Sequence, residues 1–168
     1  IQHSGTTSTL TVGSSEIQLE PDAGTAIQYN AGSTFTLGAA TIEDAGGTGF
    51  ALDNHAATGV DVQSGTVSFS DEAGLTVNDV DNGINIAGGD ISSNQLSDLT
   101  LDRIGNGNAL SVTGGSYSGA LTLDNFDVTG TTASGETNAQ AVNFDPDSTA
   151  TLTVQSSTNI GPVETGIA

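Results

Sequence analysis

Gly83-Ile84-Asn85-Ile86 sets the beat of this chain: a small residue, then apolar, polar, apolar. The phrase returns as Ala26-Ile27-Gln28-Tyr29, Gly49-Phe50-Ala51-Leu52, Gly59-Val60-Asp61-Val62, Ala109-Leu110-Ser111-Val112 and Ala141-Val142-Asn143-Phe144, and is clipped at Gly166-Ile167-Ala168. Ala26 and Gly49 are 23 residues apart; from Gly59 onward the successive spacings are 24, 26, 32 and 25. A second phrase rides on the same beat: Leu10-Thr11-Val12, Phe35-Thr36-Leu37, Leu75-Thr76-Val77, Leu99-Thr100-Leu101, Leu121-Thr122-Leu123 and Leu152-Thr153-Val154. A third apolar point follows each of these, at Ile17, Ile42, Val80, Ile104, Phe126 and Ile160. Self-similarity at a fixed period of roughly 20–50 residues marks an architecture in which each unit buries its apolar face against the next.

No segment sustains apolar residues at i, i+3, i+4 and i+7, and Gly, Ser, Thr, Asn and Asp are spread throughout, which disfavours helix. Short alternating runs bounded by turn formers read as strands. Leu121-Thr122-Leu123 puts two leucines on one face and the threonine on the other. The fold expected is therefore all-β: a single-stranded parallel β-helix, or β-solenoid, of about six to seven rungs of roughly 22–26 residues each. Rungs about 4.8 Å apart give a rod roughly 30 Å long. The threonines at 11, 36, 76, 100, 122 and 153 are expected to form one outward column, flanked by inward ladders of leucine and valine.

The 168 residues read as one solenoid domain. Residues 1–9 serve as an N-terminal cap or tail, and 162–168 open a further rung or dock as a tail. The long interval after Ala109 contains 131–138, whose Thr, Ser, Gly and Asn mark a surface loop. Gly49 and Gly59 are only ten residues apart, so Phe50 and Leu52 are assigned to an irregular rung; the alternative is a lateral excursion over 44–58 carrying His55. The chain begins at Ile1, as after removal of a signal peptide or excision from something longer.

Composition narrows the partners. One basic residue, Arg103, stands against 20 Asp and Glu, for a formal net charge of −19. Nucleic acid is excluded as a partner, because its binding requires Lys and Arg to neutralise phosphates. Anionic membrane surfaces are disfavoured for the same reason, and no stretch approaches the 18 apolar residues of a membrane-inserting helix. The absence of cysteine removes disulfides, thiol catalysis and cysteine-type zinc sites. Aromatic residues are only 4% of the chain, so the core has to be thin and aliphatic.

The residues bear on three chemistries: calcium binding, polysaccharide cleavage and ice binding. Gly46-Gly47-Thr48-Gly49 and Gly105-Asn106-Gly107-Asn108 evoke the calcium-binding nonapeptide, but Ala51 and Ala109 stand where that repeat needs an aspartate. Asn78-Asp79-Val80-Asp81-Asn82-Gly83 alternates oxygen donors before a turn, which makes Asp79 and Asp81 the metal-ligand candidates, for Ca²⁺. The competing reading of both is ordinary turn chemistry. For polysaccharide cleavage the candidate bases are Arg103, His3 and His55. Arg103 lies beside Asp102, and a guanidinium is protonated at any working pH. The acid pairs Glu43-Asp44 and Asp71-Glu72 are sequence neighbours and point apart if extended. There is no Trp, and Tyr29 and Tyr117 fall near strand positions, so no sugar-stacking platform emerges. No catalytic residue and no cofactor is assigned. Thr-x-Thr ranks at 9/11, 34/36 and 151/153 suit an ice-binding face, which Asp98 interrupts.

The rungs, with Leu121-Thr122-Leu123-Asp124-Asn125-Phe126-Asp127-Val128 as the clearest, resemble right-handed parallel β-helix segments of bacterial exoproteins. Autotransporter passengers and filamentous-haemagglutinin-like adhesins are the kinds meant, and the resemblance is one of repeat style over residues 10–168. It implies export to the cell surface and a non-enzymatic structural or adhesive role. The partners expected are the chain itself or neighbouring β-helical segments, met end to end in a filament or layer, and surface glycans. The rival expectation is a polysaccharide-binding or polysaccharide-cleaving β-helix; a calcium-stabilised or ice-binding solenoid is the third.

Overall fold

The computed structural model describes residues 1–6, 9–13, 15–19, 24–44, 58–69, 74–88, 90–92, 95–105, 107–114, 120–130, 140–146, 150–156, 158–161 and 163–168. None of these residues is helical. In chain order the strands are β1 (Gln2–Gly5), β2 (Leu10–Val12), β3 (Ser15–Leu19), β4 (Thr25–Leu37), β5 (Ala40–Asp44), β6 (Thr58–Phe69), β7 (Leu75–Asn78), β8 (Asn82–Ile86), β9 (Asp90–Ile91), β10 (Gln95–Ile104), β11 (Asn108–Thr113), β12 (Ala120–Gly130), β13 (Gln140–Asp145), β14 (Thr151–Val154), β15 (Asn159–Ile160) and β16 (Thr165–Ile167). Nine of them form one sheet, in the order β1-β4-β6-β8-β11-β13-β16, with β2 on β4 and β9 on β6. The other seven form a second sheet, in the order β3-β5-β7-β10-β12-β14, with β15 on β12.

All these pairings are parallel. Parallel neighbours cannot be joined by a tight hairpin. Here the connection is made through the other sheet: β3, β5, β7, β10, β12 and β14 alternate along the chain with β4, β6, β8, β11, β13 and β16. The expectation of an all-β chain of parallel strands holds in this form, as two parallel sheets that the chain visits in turn.

The small–apolar–polar–apolar phrase falls in register. Ile27, Val60, Ile84, Leu110, Val142 and Ile167 are partners in succession across β4, β6, β8, β11, β13 and β16. Ile27 pairs directly with Val60, so the phrase at Ala26 is followed in the sheet by the phrase at Gly59. Phe50, Leu52 and His55 lie outside the described residues, as do 131–138. Of the segment expected as a cap, residues 2–5 pair with β4, and Thr165 and Ile167 pair with β13.

The single threonine column is corrected. Thr11 pairs with Thr36, which pairs in turn with Ser68, in the nine-stranded sheet. Thr76 and Thr100 belong to the other sheet, where their column runs Thr41, Thr76, Thr100, Asp127, Asn159. Thr122 and Thr153 form a third pairing, with Gln95 beside Thr122. The third apolar column likewise reads Ile17, Ile42, Val77, Leu101, Val128, Ile160, while Phe126 pairs with Leu99, itself beside Leu75. The physical reason is the two-residue period of a strand: apolar–Thr–apolar looks alike wherever it falls on a pleat. β4, β6, β10 and β12 are each long enough to hold two such triplets.

Both sheets turn their apolar columns into one core, whose bulkiest fully buried members are Tyr29, Phe35 and Phe126. The small first residue of the phrase has a steric cause. A Cβ on Gly83 would run into the Ala109 carbonyl oxygen of the next strand, and one on Gly59 would lie 2.8 Å from the Gly83 oxygen and 2.5 Å from Val77 Cγ1. Ala26, Ala109 and Ala141 keep a methyl at this position and bury it completely or nearly so.

Candidate functional site

Among the described residues, a cluster of charged and polar side chains is brought together by adjacent bends in the seven-stranded sheet. β7 ends at Asn78, and Asp79 follows with φ 57°. One strand on, Asp102 pairs with Asn78, so the next residue, Arg103 (φ 51°), falls beside Asp79. Left-handed backbone costs a residue with a side chain roughly 1–2 kcal/mol, and each of these bends is held by bonds between strands. The Asp79 N–H donates to the Asp102 carbonyl (3.2 Å), the Gly105 N–H to the Val80 carbonyl (2.9 Å), and the Arg103 N–H to Thr129 Oγ1 (3.1 Å). A second pair of left-handed residues, Asp98 (φ 55°) and Asn125 (φ 48°), repeats the device, with the Asn125 amide donating to the Asp98 carboxylate.

The side chains complete the cluster. Arg103 Nη2 bonds Asp79 Oδ2, and its Nε lies 3.9 Å from Asp102 Oδ2. Thr129 Oγ1 donates to Asp102 Oδ1. The Asp79 side chain is 12% exposed and that of Arg103 49%, so the carboxylate is buried beneath a guanidinium that faces solvent. Asp81 is half-buried, and its Oδ1 occupies the place a Cβ on Gly105 would need. Asn78 Oδ1, also buried, accepts no hydrogen bond from the described residues.

These positions define what the cluster can do. Asp79, the first metal-ligand candidate, is engaged by the molecule's own cation, so Ca²⁺ at that oxygen would have to displace a guanidinium. Among the described residues no group of three or more His, Cys, Asp or Glu could hold a metal ion. As a base, Arg103 is a poor prospect, because its guanidinium is already engaged by the Asp79 carboxylate. The other candidates do not join it. His3 stacks on Tyr29 (centroids 5.4 Å apart) at the far edge of the nine-stranded sheet, and Tyr29 is fully buried, away from any sugar. Glu43 accepts from the Gln18 amide at 2.9 Å. His55, Asp71, Glu72 and Tyr117 lie outside the described residues.

Sequence reading missed a second polar grouping, on the outer face of the nine-stranded sheet. Asp61 accepts from Asn85 Nδ2 (2.9 Å) and Gln63 Nε2 (2.8 Å); Asn30 Nδ2 donates to Gln63 Oε1 (3.3 Å), and Ser64 Oγ to Asn30 Oδ1 (2.8 Å). Gln2 Nε2 donates to Gln28 Oε1 (3.0 Å) in the same column. The signal was present as the polar third position of the phrase, held by Gln28, Asp61, Asn85, Ser111 and Asn143. Once that phrase is put in register these residues become a vertical file. Along this file Asn85 bonds Asp61 and Gln2 bonds Gln28, whereas Ser111 is buried.

Compared with known proteins, the chain matches no family model, no curated protein and no solved structure.

Proposed function

We propose that the chain is an extracellular, non-enzymatic β-solenoid that serves as a spacer or adhesive rod at a cell surface. The observation that carries this reading is the unbroken apolar column from Ile27 to Ile167, one residue per visit to the nine-stranded sheet. Such a column extends by repetition, which suits length rather than a single catalytic centre. Outward side chains favour the same reading where they bond their equivalents on neighbouring strands, as Gln2 does with Gln28, Asn85 with Asp61 and Gln18 with Glu43. The partners proposed are further β-helical segments in the same register, in this chain or another copy, with surface glycans as a second class. Unpaired strand edges template such additions, and head-to-tail contacts that do not close give open fibres. The surface location rests on the resemblance in repeat style to bacterial exoproteins.

Negative-stain microscopy at rising protein concentration tests the assembly, with rods that lengthen end to end as the expected result. Monomers at every concentration would remove end-to-end growth. The enzymatic alternative draws on Arg103, a half-exposed cation between two carboxylates. A lyase assay on uronic-acid polymers is expected to show no cleavage; cleavage lost in Arg103→Ala would replace the structural reading with a catalytic one.

A further inference from the structure

We draw no further inference here: the strongest candidate, the patch of outward hydroxyls that Thr9, Thr11, Thr34, Thr36, Thr66 and Ser68 form on and beside β2, β4 and β6 of the nine-stranded sheet, carries no proposal because nothing in the structure shows what covers it.

Discussion

The two sheets bury equivalent columns by different means. In the nine-stranded sheet, register is fixed by contact: Gly59 and Gly83 sit where a side chain would strike a neighbouring strand. Sliding a strand by one residue would bring a larger residue to that spot and turn the whole apolar set outward. Among the described pairings of the seven-stranded sheet, Ala40, Ala120 and Gly130 stand opposite Ser15, Thr151 and Ile104, and no file of small residues runs from strand to strand. The described left-handed residues with side chains, Asp79, Asp98, Arg103 and Asn125, all lie in or directly after its strands. Bends rather than close approach locate those strands. One sheet is indexed by what cannot fit, the other by where the backbone turns.

The largest expected effects test whether the two columns are equally part of the core. Ile84 and Leu101 are both fully buried, one in each sheet. Ile84→Ala and Leu101→Ala should each cost about 2–5 kcal/mol, as truncation of a buried aliphatic residue does. Leu152→Ala, at a partly buried position on β14, should cost less. Urea unfolding of the three variants checks this. A near-neutral Leu101→Ala would mean that the seven-stranded register is wrong.

Next in size comes the contact that indexes the first sheet. Gly83→Ala places a methyl against the Ala109 carbonyl, which belongs to backbone and cannot swing aside. Overpacking of this kind should cost about 1–3 kcal/mol. Gly166 holds the same place in the phrase, yet nothing lies within 4 Å of a Cβ built there. Gly166→Ala should therefore leave the urea midpoint nearly unchanged. Equal losses in the two variants would show that glycine's role is backbone freedom and not clearance.

This contrast also explains how far the sequence was readable. Ala26, Gly59, Gly83, Ala109 and Ala141 announce their register because their smallness is a steric requirement visible letter by letter. Thr11, Thr76 and Thr122 each sit between two apolar residues, and nothing in the triplet says which sheet it joins. That assignment depends on bends made by Asp79 and Arg103, residues whose left-handed backbone is not the default for their type. The candidate site was legible as residues and not as a pairing. In the sequence Arg103 stands next to Asp102, whereas its close partner in the fold is Asp79, one strand away and 24 positions earlier.

That pairing is the third test. The carboxylate is mostly buried and the guanidinium half-exposed, so the interaction lies between an exposed ion pair, worth about 0–1 kcal/mol, and a buried one, whose disruption costs about 3–5 kcal/mol. Arg103→Ala should cost about 1–2 kcal/mol, because it takes the guanidinium away from a mostly buried carboxylate. In an Asp79→Asn background the same change should cost less. A double-mutant cycle by chemical denaturation measures the difference. Strict additivity would mean that Arg103 contributes through its bend, its bond to Thr129 and contacts such as that with Asp102, and not through Asp79.

The smallest expected effect concerns divalent cations, and it separates the bend from a metal site. A chain of formal charge −19 repels itself, and any added electrolyte screens that repulsion. Millimolar Ca²⁺ should therefore raise the melting temperature slightly, and Mg²⁺ at the same concentration should do the same. Calcium earns a separate increment only if it finds oxygen ligands in a flexible cage, since Ca²⁺ takes six to eight of them where Mg²⁺ keeps its waters. With Asp79 turned to Arg103, Asp81 packed beside Gly105 and no third acidic ligand grouped with them among the described residues, that increment should be absent. Thermal melts in each ion, on the wild-type chain and on Asp79→Asn with Asp81→Asn, decide the matter. A gain specific to calcium that the double variant abolishes would show that the guanidinium yields its place, and that the bends of the seven-stranded sheet are held by an ion rather than by Arg103.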